Sequence, residues 1–147
     1  LDISGNSLSQ ISLHLGSLSQ LQTLRIQSNS KGVRGFQAIG KVSALKELSL
    51  RAGKLTKFPN WIQNIGSLES LDLCYNSITE IPSWITELTQ LRHLKLNNNK
   101  ITLIPQFLAE HPSLEMVFLN ANPLEQSQTL TISVNEASGN QLIKGTS

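Results

Sequence analysis

Residues able to do chemistry are sparse in this chain of 147 residues: one cysteine, Cys74, and three histidines, His14, His93 and His111. A cysteine becomes a nucleophile only where a neighbouring base or positive field ionises it. A metal site needs three or four ligands converging on one point. The chain has no G-x-S-x-G, H-E-x-x-H, C-x-x-C or G-x-G-x-x-G string, so the common hydrolase, zinc and dinucleotide signatures are missing. The segment Gly139-Asn140-Gln141-Leu142-Ile143-Lys144-Gly145-Thr146 resembles a phosphate loop only superficially. Its Lys and Gly are transposed, and one residue is left where a helix should follow. The chain is therefore read as non-catalytic, with no cofactor and no metal.

Composition narrows the partners. Hydrophobic residues make up 39% and charged residues only 15%, the latter too few for a highly charged disordered chain. The net charge of +2 is too small to favour nucleic acid or an acidic membrane surface. No apolar run reaches the ~18–20 residues of a membrane span. The lone Cys74 excludes an internal disulfide framework. With no N-x-Ser/Thr sequon in the chain, an intracellular setting is favoured over a glycosylated ectodomain. The start at Leu1, with neither Met nor a signal pattern, reads as a terminus that is not native.

The elements that must position any site come from a repeat. Leu1, Leu24, Leu48, Leu71, Leu94 and Val117 fall at intervals of 23, 24, 23, 23 and 23 residues. The full register is Leu68-x-x-Leu71-x-Leu73-x-x-Asn76-x-Ile78-x-x-Ile81-Pro82-x-x-Ile85-x-x-Leu88, and Leu91 opens the next copy. Leu-x-Leu has period two, so both leucines face one side of a short strand. Strands recurring in this way can stack as a parallel sheet about 4.8 Å apart. The Ile-Pro-x-x-Ile-x-x-Leu half offers apolar groups at one-turn helical spacing for the return path. The Asn column of Asn6, Asn29, Asn76, Asn99 and Asn122 sits where each strand bends away, placing an amide to satisfy backbone groups of neighbouring turns. Gly53 interrupts that column, so the third turn should be looser.

These motifs resemble the leucine-rich repeat family, in its 23-residue class with Ile-Pro after the strand, over about residues 1–125. The resemblance implies an α/β fold, a right-handed leucine-rich repeat solenoid bent into a horseshoe. Its parallel β-sheet lines the concave face, and short helical or 3₁₀ segments form the convex face. It also implies a structural role for the Asn ladder, and protein or peptide ligands as the usual partner class.

The departures carry their own expectations. Residues 30–36 hold a one-residue insertion and two glycines and lack Ile-Pro, which predicts an irregular bulge, a drifted repeat in preference to a binding loop. After residue 125 the rhythm stops, and residues 126–147 read as a C-terminal strand or hairpin cap. In it, 129–134 forms one strand and Gln141-Leu142-Ile143 the other. Such a strand, or the uncapped one at Leu1, could instead exchange with a second copy and give a homo-oligomer. His14, Trp61, Trp84 and Phe107 each precede the Ile or Leu of a return segment. We read them as a stack of neighbouring side chains over the back of the core, with a convex docking surface as the alternative. The histidines fall at different phases of different units and do not converge. Cys74 should project from the strand face as an accessible thiol without an activating base.

The remaining functional surface is the concave face. Arg25, Ser49, Asp72, Lys95 and Phe118 succeed one another across the sheet, with Asp72 and Lys95 expected to balance each other. Met116 and Phe118 should point outward, with Tyr75 and His93 nearby, a mix typical of interaction hot spots unless the C-terminal segment folds over it. The expected partner-binding residues are Tyr75, His93, Lys95, Met116, Phe118, Asp72, Arg51 and Arg25.

Overall fold

The computed structural model describes residues 1–29, 34–125, 133–135 and 140–142. Its five parallel strands are β1 (Thr23–Arg25), β2 (Glu47–Ser49), β3 (Ser70–Asp72), β4 (His93–Lys95) and β5 (Met116–Phe118). Each central Leu or Val stands beside its counterpart: Leu24, Leu48, Leu71, Leu94 and Val117 form one row across the sheet. Residues 1–3 lie alongside β1 through a single parallel bridge between Asp2 and Arg25. At the other end β6 (Ser133–Asn135) and β7 (Asn140–Leu142) pair antiparallel, and β7 also pairs antiparallel with β5. The sheet order is thus β1-β2-β3-β4-β5-β7-β6. Residues 129–132 of the expected strand lie outside the described residues, as do residues 30–33 of the expected bulge.

The return segments are 3₁₀ helices at Leu13–Ser17, Phe36–Lys41, Asn60–Asn64, Ser83–Glu87 and Gln106–Leu108. The Ile-Pro motif explains three of them. Pro59, Pro82 and Pro105 have no N–H and a fixed φ, which suits the residue ahead of a helical turn. Their carbonyls accept from Ile62, Ile85 and Leu108, three residues on. Ile62 and Ile85 pass the same pattern forward to Ile65 and Leu88. The second unit, lacking Pro, enters its helix through Gly35 in the left-handed region at φ 84°. A Cβ there would stand 2.5 Å from the Ile11 carbonyl oxygen, so only glycine fits.

Between strand rows and helices lies one continuous core. Leu24, Leu48, Leu71, Leu94 and Val117 are all 2% exposed or less, as are Ile62, Ile85 and Leu108 on the opposite side. No unit could bury its own apolar face, so neighbours supply it. His111 stands in the last apolar position of its unit and is buried. Its Nε2–H donates to the Ile85 carbonyl at 2.9 Å, and its Nδ1 accepts the Ser113 N–H at 3.3 Å. Both bonds suit a neutral ring, and burial holds the His111 pKa below the ordinary histidine value.

The aromatic column on the back is not a stack of its own members. Trp61 stacks on Phe36, with centroids 5.9 Å apart and planes at 13°. Trp84 meets Phe58 edge-on at 6.0 Å, and His14 is exposed. Each Trp is half-buried and covered by a phenylalanine of the preceding unit. That partner lies outside the column, which simple register alignment cannot show.

Two outcomes follow from this packing. Leu71→Ala should lower unfolding free energy by ~2–5 kcal/mol in urea titration, because a fully buried leucine leaves a cavity behind; a loss under ~1 kcal/mol would contradict the row assignment. The depressed pKa of His111 means the unfolded chain takes up the proton first as pH falls. Stability should therefore drop as pH decreases below about 6.5, the unfolded histidine value, and flatten once the folded ring titrates. His111→Leu should remove this part of the pH dependence in thermal melts.

Candidate functional site

The turn after each strand is built from two adjacent residues. The first is left-handed in every unit: Gly5 at φ 66°, Ser28 at 52°, Ala52 at 54°, Tyr75 at 57°, Asn98 at 57° and Ala121 at 55°. The second is Asn6, Asn29, Gly53, Asn76, Asn99 or Asn122. The left-handed step breaks the strand and sends the following amide inward. Asn99 shows the pattern. Its Nδ2 donates to the Leu73 carbonyl one unit back and to its own unit's Leu96, each at 3.0 Å, and its Oδ1 accepts from Ile78 N–H at 3.0 Å. Asn122 repeats this with Leu96, Leu119 and Ile101, while Asn76 Oδ1 accepts from both Gly53 and Leu55. Asn29 reaches Ile3 and Leu8, and Asn6 bonds within its own unit to Ile3 and Ser4. Gly53 supplies none of this, and its turn adds a second left-handed residue, Lys54 at φ 59°.

This geometry lifts Tyr75 out of the strand plane and leaves it 51% exposed. The Arg51 guanidinium of the preceding unit lies 4.3 Å from its ring centroid. Two units on, Lys95 Nζ lies 6.0 Å from the Phe118 ring. In each case a cation on one unit sits over an aromatic ring on the next, which is attractive and orients both groups. Met116 stands in register with His93, and His93 Nε2 lies 3.9 Å from Glu115. Met116, Phe118 and His93 are half-buried.

Charges pair mostly from one unit to the next. Arg25 meets Glu47 at 3.6 Å, Lys46 meets Glu69 at 3.0 Å, and Arg92 meets Glu115 at 3.3 Å. Asp72 and Lys95 are register partners, yet the expected balance between them takes another form. The Asp72 carboxylate accepts the Cys74 N–H at 2.9 Å, and Lys95 leans on Phe118. At the Arg25 end, a notch of about 90 Å³ is lined by Arg25, Glu47, Ser49, Ser70, Asp72 and Lys95 among others. The Ser49 hydroxyl in its wall is buried and has no hydrogen-bond partner among the described residues. The structure thus groups Arg51 with Tyr75, Lys95 with Phe118, and His93 with Met116, leaving Arg25 at the far edge. Sequence reasoning passed over Arg92, Glu115, Lys46 and Glu69. Opposite charges 23 residues apart were the available signal, since that spacing makes lateral neighbours.

Cys74 corrects an expectation. It is 2% exposed, because the strand ends at Asp72 and the alternation of faces does not continue through the turn. Burial, reinforced by the Asp72 carboxylate, pushes its pKa up to about 12. Among the described residues no group of three or more His, Cys, Asp or Glu side chains could hold a metal ion, and no helix is long and apolar enough to cross a membrane. At pH 8 about one Cys74 thiol in 10⁴ is ionised with such a pKa. Maleimide labelling of the folded protein should therefore be slower than in denaturant by about three orders of magnitude. Equal rates in the two states would show that the thiol is open.

Known proteins share this architecture. The leucine-rich repeat region family model matches residues 1–135. A leucine-rich repeat protein of Leptospira interrogans superposes with a TM-score of 0.74 at 28% identity, over 84% of this chain and 31% of that one. An internalin of Listeria monocytogenes gives 0.67 at 22% identity, over 83% and 35%. The chain therefore spans about a third of the length of these two structures. No curated protein matches it in sequence. With the family model covering nearly all of the repeats and the ladder in place in the structure, the chain belongs to the leucine-rich repeat family.

Proposed function

We propose that this chain is a non-catalytic module that binds a protein or peptide through its concave sheet face. The observation that carries the reading is the pair of cation-backed aromatic rings, Arg51 with Tyr75 and Lys95 with Phe118. Aromatic groups held in place lose little freedom on binding, which is how such residues become anchors. Met116 and His93 extend the patch, while Asp72 and Arg25 supply polar contacts at its margin. The cross-unit ion pairs leave little one-signed field, which suits a peptide of mixed character better than nucleic acid. Family likeness supports interaction with proteins as the general role.

In this reading residues 1–125 form the binding solenoid and residues 126–147 serve as its cap. The pairing of β7 with β5 fits that division, since it occupies the edge of β5 within the same chain. The alternative of strand exchange between copies has no such observation in its favour.

Selection of displayed peptides against the folded protein tests the proposal. Peptides enriched on the native protein should bind a Tyr75→Ala/Phe118→Ala variant about 30-fold more weakly or worse, the size expected when anchors are truncated. Thermal stability of the variant should stay close to that of the parent. Equal binding to a folded variant would reject this patch.

A further inference from the structure

The concave face has a pit where two short side chains meet. Arg25, Ser49, Asp72 and Lys95 lie side by side in register across β1 to β4, and Glu47 and Ser70 stand in the neighbouring row. Side chains alternate along a strand, so with Leu48 and Leu50 in the core Ser49 faces the concave side. Ser49 and Ser70 are diagonal neighbours, shorter than the charged residues around them, and both line the notch of about 90 Å³. That is the volume of about three waters. Its walls carry both signs, Arg25 and Lys95 against Glu47 and Asp72. Arg25 is taken by Glu47 at 3.6 Å. No ion pair holds the Lys95 ammonium among the described residues, and it lies 6.0 Å from the Phe118 ring centroid. One oxygen of Asp72 accepts the Cys74 N–H. The Ser49 hydroxyl bonds neither of its register partners, Arg25 and Asp72, nor any other described residue, although Ser49 is only 7% exposed. Burying a hydroxyl without a partner is costly.

We propose that this notch takes a primary carboxamide, the end of an asparagine or glutamine side chain of the bound peptide. The inference rests on the concave-face reading and adds what the partner presents there. Two charges of each sign leave no net field to select an ion. A neutral group that both donates and accepts meets what is left open. Its oxygen accepts from Lys95 and from the Ser49 hydroxyl, and its NH₂ donates to the Asp72 carboxylate. Hydrogen bonds to charged groups are the stronger kind. A carboxylate would face Asp72, an ammonium would face Lys95, and a zwitterion would give up hydration at both ends. A backbone peptide group is flanked by chain on both sides, whereas a carboxamide ends a side chain and enters a pit end-on. The Ser49 Oγ is reached when Arg25 and Glu47 at the rim give way, and that pair is half-exposed and weakly held. Lys95 lines the notch and also backs Phe118, so one extended peptide can reach both.

Titration of the ¹⁵N-labelled protein with propionamide, the end of a glutamine side chain, tests the proposal. The backbone amides of Ser49, Ser70 and Asp72 should shift together. Propionate, propylammonium and butanone should each bind about tenfold more weakly or worse, the first two for their charge and the third because it only accepts. Ser49→Ala should weaken propionamide about fivefold, the size of one lost hydrogen bond. The same variant should melt at the parent's temperature or above it, because the hydroxyl it removes has no partner among the described residues. A lower melting temperature, or failure to fold, would give the hydroxyl a structural role and overturn the assignment. Shifts confined to other residues, equal affinity for propionate or butanone, or undiminished binding to Ser49→Ala would overturn it too. Displayed peptides that depend on Tyr75 and Phe118, beside a notch that ignores propionamide, would reject the notch alone. Propionamide shifts in the notch, with peptides indifferent to Tyr75 and Phe118, would uphold it and reject only the aromatic patch.

Discussion

Everything in this molecule depends on how a strand of three residues can end without leaving its last carbonyls unpaired. A buried peptide group without a partner costs more than most side-chain contacts return, and each unit here has such groups on its inner edge. The asparagine amide resolves this by bonding backward to the previous unit and to its own, while its oxygen accepts an amide from the previous unit's turn. The left-handed residue before it aims the side chain inward. Because both partners are backbone, the bond fixes the separation of neighbouring turns whatever side chains surround it. The leucine rows then pack at that separation, and the Ile-Pro turns close the back of each unit. Where the asparagine is missing, the neighbouring turn still holds, since Asn76 bonds Gly53 and Leu55.

The same lattice that builds the core also builds the surface. Residues about 23 apart become lateral neighbours, so a cation in one unit lands beside a carboxylate or over a ring in the next. The exposed ion pairs contribute little each, about 0–1 kcal/mol. Their consequence is for recognition: they neutralise much of the face, while the Arg51 and Lys95 cations lie over Tyr75 and Phe118 and hold those rings in defined positions. A rigid scaffold with few mobile groups loses little entropy when a partner lands on it.

Much of the fold was legible because its pattern is local and repeated. The five parallel strands fall on the Leu-x-Leu positions, and the 3₁₀ turns fall on Ile-Pro-x-x-Ile. Departures were less legible. Cys74 reads as outward-facing if strand alternation is extended past Asp72, but the left-handed Tyr75 marks a turn that buries it. Trp61 and Trp84 read as stacking on each other, yet each takes a phenylalanine of the preceding unit. His111 replaces an apolar residue, and only its bonds to Ile85 and Ser113 show how an imidazole is accommodated there. For the concave residues, register placed Asp72 beside Lys95 correctly but not the direction each side chain takes.

The sequence by itself determined the repeat length, the row of core leucines, the position of the turns and the one place where the ladder lacks its amide. Periodicity suffices for these because every unit meets the same neighbours at the same spacing. Tertiary structure alone decided which side chains meet: Arg51 over Tyr75, Lys95 over Phe118 and Phe36 on Trp61. Such contacts turn on side-chain direction and on gaps left by single substitutions, and a repeating pattern averages over both.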